Sequence, residues 1–265
     1  MTIAMPEIRV LAQRLMWALL AIHVLSFATN FLHHGLGVGR KVHVAVWLAT
    51  FFNVDEHQNL PTWFSSVILL LTAWILWEVA AAAGAAGQHR YVRHWRILSV
   101  VFALLSLDDM TEAHRVLRTG PLATIGNASS WMLILAPVAL VFAISYLRFL
   151  FHLPPRTRWS MLAAAAAYGA GVTAVEVAGA VTGRNLLAHL PGEDLTGAAY
   201  VRYLLAASAE ELIQGLAVIA FLFAMGSCLQ RYQDLAAVTA PPVQAGGRGG
   251  RPAVVTPSRR LHREG

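Results

Sequence analysis

Long apolar runs separated by short polar stretches set the plan of this chain. A membrane-spanning helix needs about 20 mostly apolar residues at 1.5 Å rise per residue. Six segments meet that length, at roughly 14–33, 62–85, 94–113, 129–151, 159–182 and 200–228. The third is the weakest, because it ends in LDDMTEAH. The pattern predicts an all-α polytopic bundle of six transmembrane helices over residues 1–235. A disordered basic tail is expected over 236–265, which is rich in Pro, Gly and Arg. Between the first two runs, 43–60 (HVAVWLATFFNVDEHQNL) is too short and too polar at its end to cross. Its first half fits an amphipathic helix on the membrane surface. Pro61 fits the first turn of the following helix, where its missing N–H costs nothing.

Composition supports this picture. Hydrophobic residues make up 57% of the 265 positions and charged ones only 13%, against roughly 25% charged in soluble domains. The single cysteine, Cys228, excludes an intramolecular disulfide and any cysteine-cluster metal site. The net charge of +6 is placed beside apolar runs and in the tail. That placement points to a lipid bilayer and away from nucleic acid. With both termini inside, the inner segments hold 14 Lys and Arg and the outer segments 6, or 8 against 6 without the tail. The bias favours an N-in, C-in orientation. The alternative for the first run is a signal peptide cleaved at Ser26-Phe27-Ala28. It is disfavoured by the 13-residue leader and by the polar continuation Asn30, His33 and His34.

Carboxylates within apolar helices are costly and call for a partner, water, a metal or a job. In this orientation Asp108, Asp109, Glu112 and His114 reach the outer interface, and Glu176 lies in the outer half of its span. Glu210 and Glu211 lie about 15 Å deep, with Gln214 one turn further. Asp108 and Glu112 share a helix face at i,i+4, whereas Glu210 and Glu211 point about 100° apart. Glu78 lies at the inner end, within reach of Arg90, Arg93 or Arg96, and reads as structural.

Three chemistries use such residues. Asp, Glu and His from several helices suit a divalent metal such as Zn, Fe or Mn, with Asp108, His114, Glu176, Glu210 and Glu211 as the candidate ligands. No Glu-x-x-His or His-Glu-x-x-His motif backs this. The same acids suit a proton- or cation-coupled transporter, although no internal repeat is visible. Paired instead with Arg115, Arg118, Arg202 and histidines, they lock helices together, as in an accessory or assembly subunit. Ser65, Ser66, Ser106 and Ser208 lack a nucleophile elbow. Gly169, Ala170, Gly171, Ala174, Gly179 and Ala180 read as close helix packing.

FFNVDEHQNLPTWFSS (51–66) and LSLDDMTEAH (105–114), with the acidic pair Glu210 and Glu211, resemble an uncharacterised group of bacterial multipass membrane proteins. There the motifs read roughly FN-x-D-x-E-x-N-x-PTWFS and SLDE followed by a His. The resemblance implies one site holding Asn53, Asp55, Asn59, Trp63, Asp108, Asp109 and His114, in the inner membrane of a bacterium, with no activity attached. Asp109 stands where the group has Glu, and Gln214 where an acid is expected. The ceramidase-like zinc hydrolases do not match, lacking here a terminal His pair and a seventh span. The reading carried forward is an outer-side acidic and His site that binds a metal or acts on a lipid-like or small-molecule ligand. Asp108, Asp109, His114 and Glu211 are its candidate catalytic groups. Ion-coupled transport and an accessory role are the alternatives.

Overall fold

The computed structural model describes residues 5–39, 41–113, 130–182 and 197–239. Among these residues the chain forms seven α-helices and no strand. They are α1 (Met5–Asn30), α2 (His43–Phe51), α3 (Leu60–Ala85), α4 (Val92–Thr111), α5 (Ser130–His152), α6 (Pro155–Thr182) and α7 (Gly197–Thr239). A π-helical turn, Phe31–Gly35, extends α1, and a short 3-10 turn, His89–Tyr91, leads into α4. The expected tail lies outside the described residues from 240 onward.

Each of the six apolar runs lies on a helix of its own. Three stretches are long and apolar enough to cross a membrane: Pro6–Gly35, Leu60–Ala85 and Tyr200–Thr239. Helix α4 falls short because Arg93, Arg96, Asp108 and Asp109 dilute its apolar content. The six expected spans are therefore six long helices, three of which have the length and composition of spans among the described residues.

Helix α7 is the hub, packed against α1, α3 and α6, while α3 also pairs with α4. Glycines make the close approaches. A Cβ on Gly226 would lie 2.6 Å from Ile8, and one on Gly215 would lie 2.8 Å from Leu19, so α1 sits directly on α7. Gly171 does the same for α6, with Gln214 of α7 2.8 Å from its would-be Cβ. A Cβ on Gly169, expected to share that role, would meet no side chain or neighbouring backbone within 4 Å among the described residues.

The arginine-rich end of the bundle holds the larger core, built around Leu76, Val79, Trp95, Phe149, Leu222 and Met225. Trp95 meets Phe149 edge-on at 4.7 Å between centroids, a favoured aromatic geometry. Tyr146 Oη donates to the His94 carbonyl at 2.9 Å, so α5 is tied to α4 by rings and a hydrogen bond. Cys228 is buried in this core, as its apolar setting implied. Glu78 does not pair as expected. Among the described residues it makes no ion pair with Arg90, Arg93 or Arg96. Arg96 lies instead over the Trp77 ring, and Arg90 over Tyr91.

At the opposite end Asn59 starts α3. Its Oδ1 accepts from the Thr62 amide at 3.2 Å and from Thr62 Oγ1 at 3.1 Å. Its Nδ2 donates to the Asn53 carbonyl at 2.6 Å and the Thr50 carbonyl at 3.2 Å. Pro61 falls in the first turn, where the sequence placed it. One buried amide thus caps the helix and folds the preceding loop. Asn59→Ala is expected to cost about 2 kcal/mol, the upper end for a helix cap, read as a lowered unfolding midpoint in detergent.

Candidate functional site

The site builds from the end of α4. Ser106 Oγ donates to the Ser66 carbonyl at 2.8 Å, clamping α4 to α3. Ser66 Oγ then donates to Asp109 Oδ2 at 3.0 Å. These serines fix the Asp109 carboxylate beside a cavity of about 80 Å³. Across it stands Glu211 of α7, and His23 of α1 and Tyr168 of α6 line other walls. Glu56 and His57, from the loop between α2 and α3, complete the lining. Among the described residues no Lys or Arg lines the cavity. Two helix-borne carboxylates therefore share a small space in which the histidines are the basic side chains among the described residues.

His23 adds a second sign of polarity. Its Nδ1 lies 2.9 Å from the Leu19 carbonyl, which can only accept, so Nδ1 carries the proton. The buried Nε2 has no hydrogen-bond partner among the described residues. It is a buried acceptor, an arrangement that is costly unless something donates to it.

The loop above the cavity is latched down by buried polar groups. Ser26 Oγ accepts from the Val54 amide at 3.1 Å. Asn30 Nδ2 donates to the Ala49 carbonyl at 3.0 Å and the Ser26 carbonyl at 3.1 Å. Tyr200 Oη donates to Asn30 Oδ1 at 3.1 Å. Tyr203 Oη donates to the Asp55 carboxylate. The latch joins α1, α2, the loop and α7.

Helix α4 ends at Thr111, and Glu112 takes a left-handed conformation (φ 53°) whose amide closes on the Asp108 carbonyl at 2.7 Å. This overturns the shared i,i+4 face of Asp108 and Glu112, because the helix stops between them. Glu112 is buried, and its Oε1 lies 3.5 Å from His57 Nδ1. The residue after His57, Gln58, is also left-handed (φ 59°). These are the two non-glycine residues with positive φ among the described residues. Such backbone costs about 1–2 kcal/mol for an L residue and least for glycine. Gln58→Gly is expected to keep or raise the unfolding midpoint. Gln58→Val is expected to lower it by several degrees, since a β-branched residue tolerates this region worst.

The expected site residues divide. Asp109 and Glu211 face one cavity. Asp55, Asn53 and Asn59 shape the loop over it, Asp55 as the Tyr203 acceptor. Asp108 is half-buried and does not line the cavity. Glu210 accepts from Gln214 Nε2 at 3.4 Å and does not itself line the cavity, while its backbone carbonyl abuts Gly171 of α6. Trp63 is exposed and lies off the site. His114 and the side chain of Glu176 lie outside the described residues. Among the described residues no group of three or more His, Cys, Asp or Glu side chains is arranged to hold a metal ion. Of the candidate ligands, Glu211 lines the cavity, whereas Asp108 and Glu210 are not among its lining residues. Four lining residues carried no sequence signal as a group: His23, Glu56, His57 and Tyr168. His57 stands inside the FNVDEHQNLPTW stretch, at the position where the group's motif carries Glu, and was not singled out from the sequence.

No curated protein and no solved structure matches this chain. Residues 15–229 match the model of a family described as a domain of unknown function, DUF8692, a match that runs from α1 into α7 and agrees with the expectation of an uncharacterised family. The chain belongs to that family, the DUF8692 domain of unknown function.

Proposed function

We propose that this protein is a six-span, N-in, C-in protein of a bacterial cytoplasmic membrane, and that its outer-side cavity binds and passes protons or a small cation. The observation that carries this reading is the cavity itself. Asp109 and Glu211 come from different helices, face the same space, and among the described residues have no Lys or Arg there to neutralise them. Such a pair takes up protons or a cation, because two carboxylates left bare in low dielectric repel each other. His57, beside Glu112 in the covering loop, is the group that exchanges with the outside.

Size supports the choice of ligand. At about 80 Å³ the cavity suits a few waters or a small ion. Pockets for organic ligands run to roughly 300–1,000 Å³, so a lipid-like substrate fits poorly. Among the described residues no cluster of three or more metal-ligating side chains supports a transition-metal centre. The orientation rests on the Lys and Arg bias, and the bacterial membrane on the motif resemblance.

The test is reconstitution into liposomes carrying a pH-sensitive dye, with a pH step and then Na⁺ or K⁺ gradients. Wild type is expected to dissipate or couple the gradient, and Asp109→Asn or Glu211→Gln to lose this by tenfold or more. Flux equal to that of empty liposomes for wild type would reject the proposal and favour an accessory role.

A further inference from the structure

A second space lies at the arginine-rich end, away from the carboxylates. It is an open groove of about 900 Å³ between the first half of α6 and the second half of α7. One wall is a run of alanines, Ala163, Ala164 and Ala167, facing Ala220 and Phe223. Alanine keeps the α6 side shallow, so the groove is a consequence of sequence and not of a bend.

Its polar groups are confined to one end. Arg156 opens α6 and Arg231 lies on the last turns of α7, and both line the groove. Both are exposed, and among the described residues neither makes an ion pair. Arg158 next door is used differently, lying over Phe151 and Trp159. From Arg156 to Ala167 the groove runs about 16 Å along α6 at 1.5 Å per residue. That is close to half of a hydrocarbon core about 30 Å thick. A positive mouth above an apolar trough one leaflet deep matches one class of molecule. Basic pockets between spans on the cytoplasmic side suit anionic headgroups, and guanidinium suits phosphate.

We propose that this groove binds one anionic phospholipid, its phosphate on Arg156 and Arg231 and its acyl chains against the alanine wall. The assignment rests on the membrane reading above but is independent of proton or cation exchange. The full-length protein in mild detergent is titrated with palmitoyl-oleoyl phosphatidylglycerol or with phosphatidylcholine bearing the same chains, and adducts are counted by native mass spectrometry. Wild type is expected to hold one phosphatidylglycerol, with occupancy about tenfold above phosphatidylcholine. Arg156→Gln with Arg231→Gln is expected to bring phosphatidylglycerol down to the phosphatidylcholine level. Ala220→Trp, which fills the groove from an exposed position, is expected to lose both lipids. Glu211→Gln is expected to bind as wild type does, which separates this site from the cavity. Equal occupancy of the two lipids, or an unchanged preference in the double arginine variant, would overturn the proposal. So would a wild-type dimer that Ala220→Trp converts to a monomer without any lipid preference, because the groove would then seat a second copy.

Discussion

Glu211→Gln is expected to abolish coupled flux and, in the same sample, to raise thermal stability. The two effects have one cause. Glu211 stands half-buried on a cavity shared with Asp109, with no Lys or Arg in the lining among the described residues. An amide keeps the shape and removes the charge. It leaves no basic partner stranded, which is what makes breaking a buried ion pair expensive. The gain is expected to be about 1 kcal/mol, or roughly 2–4 °C in a chain of this size. Asp109→Asn is expected to lose flux similarly with little change in midpoint, since its amide oxygen still accepts from Ser66. A helix-locking role predicts the opposite pattern. Glu211→Gln would then lower the midpoint by several degrees, and flux would be at background in wild type too. Scanning calorimetry and a liposome assay on one preparation distinguish the outcomes.

The largest loss of stability is expected at Trp95→Ala. Trp95 is 1% exposed and stands edge-on to Phe149, which is fully buried. Truncation leaves a void where α4, α5 and the end of α7 meet, and the flanking Leu98 and Leu229 cannot close it without moving helices. The expected cost is about 3 kcal/mol. That is the low end for a buried aromatic, because helices separated within a bilayer exchange protein contacts for lipid and not for water. Trp95→Phe is expected to recover most of it. A denaturant titration in mixed micelles reads both. Equal midpoints for the two variants would mean that the ring contact contributes nothing.

The helices were legible from apolar run length, and the six long ones fall where the runs do. The start of α3 was legible too, since Pro61 after a polar loop has few other places to sit. Where α4 stops was not. The end is made by Glu112 in a conformation usually left to glycine, so no glycine marked it, and helical spacing wrongly carried Asp108 and Glu112 onto one face. Depth along the bilayer normal follows from residue number, which is why Asp109 and Glu211 could be placed at the same end. Which helices are neighbours does not follow. Glu210 and Glu211 are adjacent in sequence, yet Glu211 lines the cavity and Glu210 does not, and only the packing of the helices decides between them. His23 and Tyr168 were missed for the same reason, each standing within an apolar run, and His57 is one of several polar residues in its loop; only the fold assembles them.

The contact of α1 with α7 has a consequence for biogenesis. The first helix made leaves the ribosome with its inner face, including Ile8 and Leu19, lacking the partner that it will finally cover. That partner arrives last among the described helices, and Tyr200 cannot close on Asn30 until it does. Synthesis runs from the N-terminus, so the faces of α1 and α3 that meet α7 must wait through the synthesis of α4, α5 and α6. On the six-span proposal they would for that interval depend on lipid or on an insertion chaperone to shield their unmatched surfaces. The carboxylate cavity is therefore the last feature to exist, and a chain stopped before α7 would carry Asp109 into the membrane with no opposite wall.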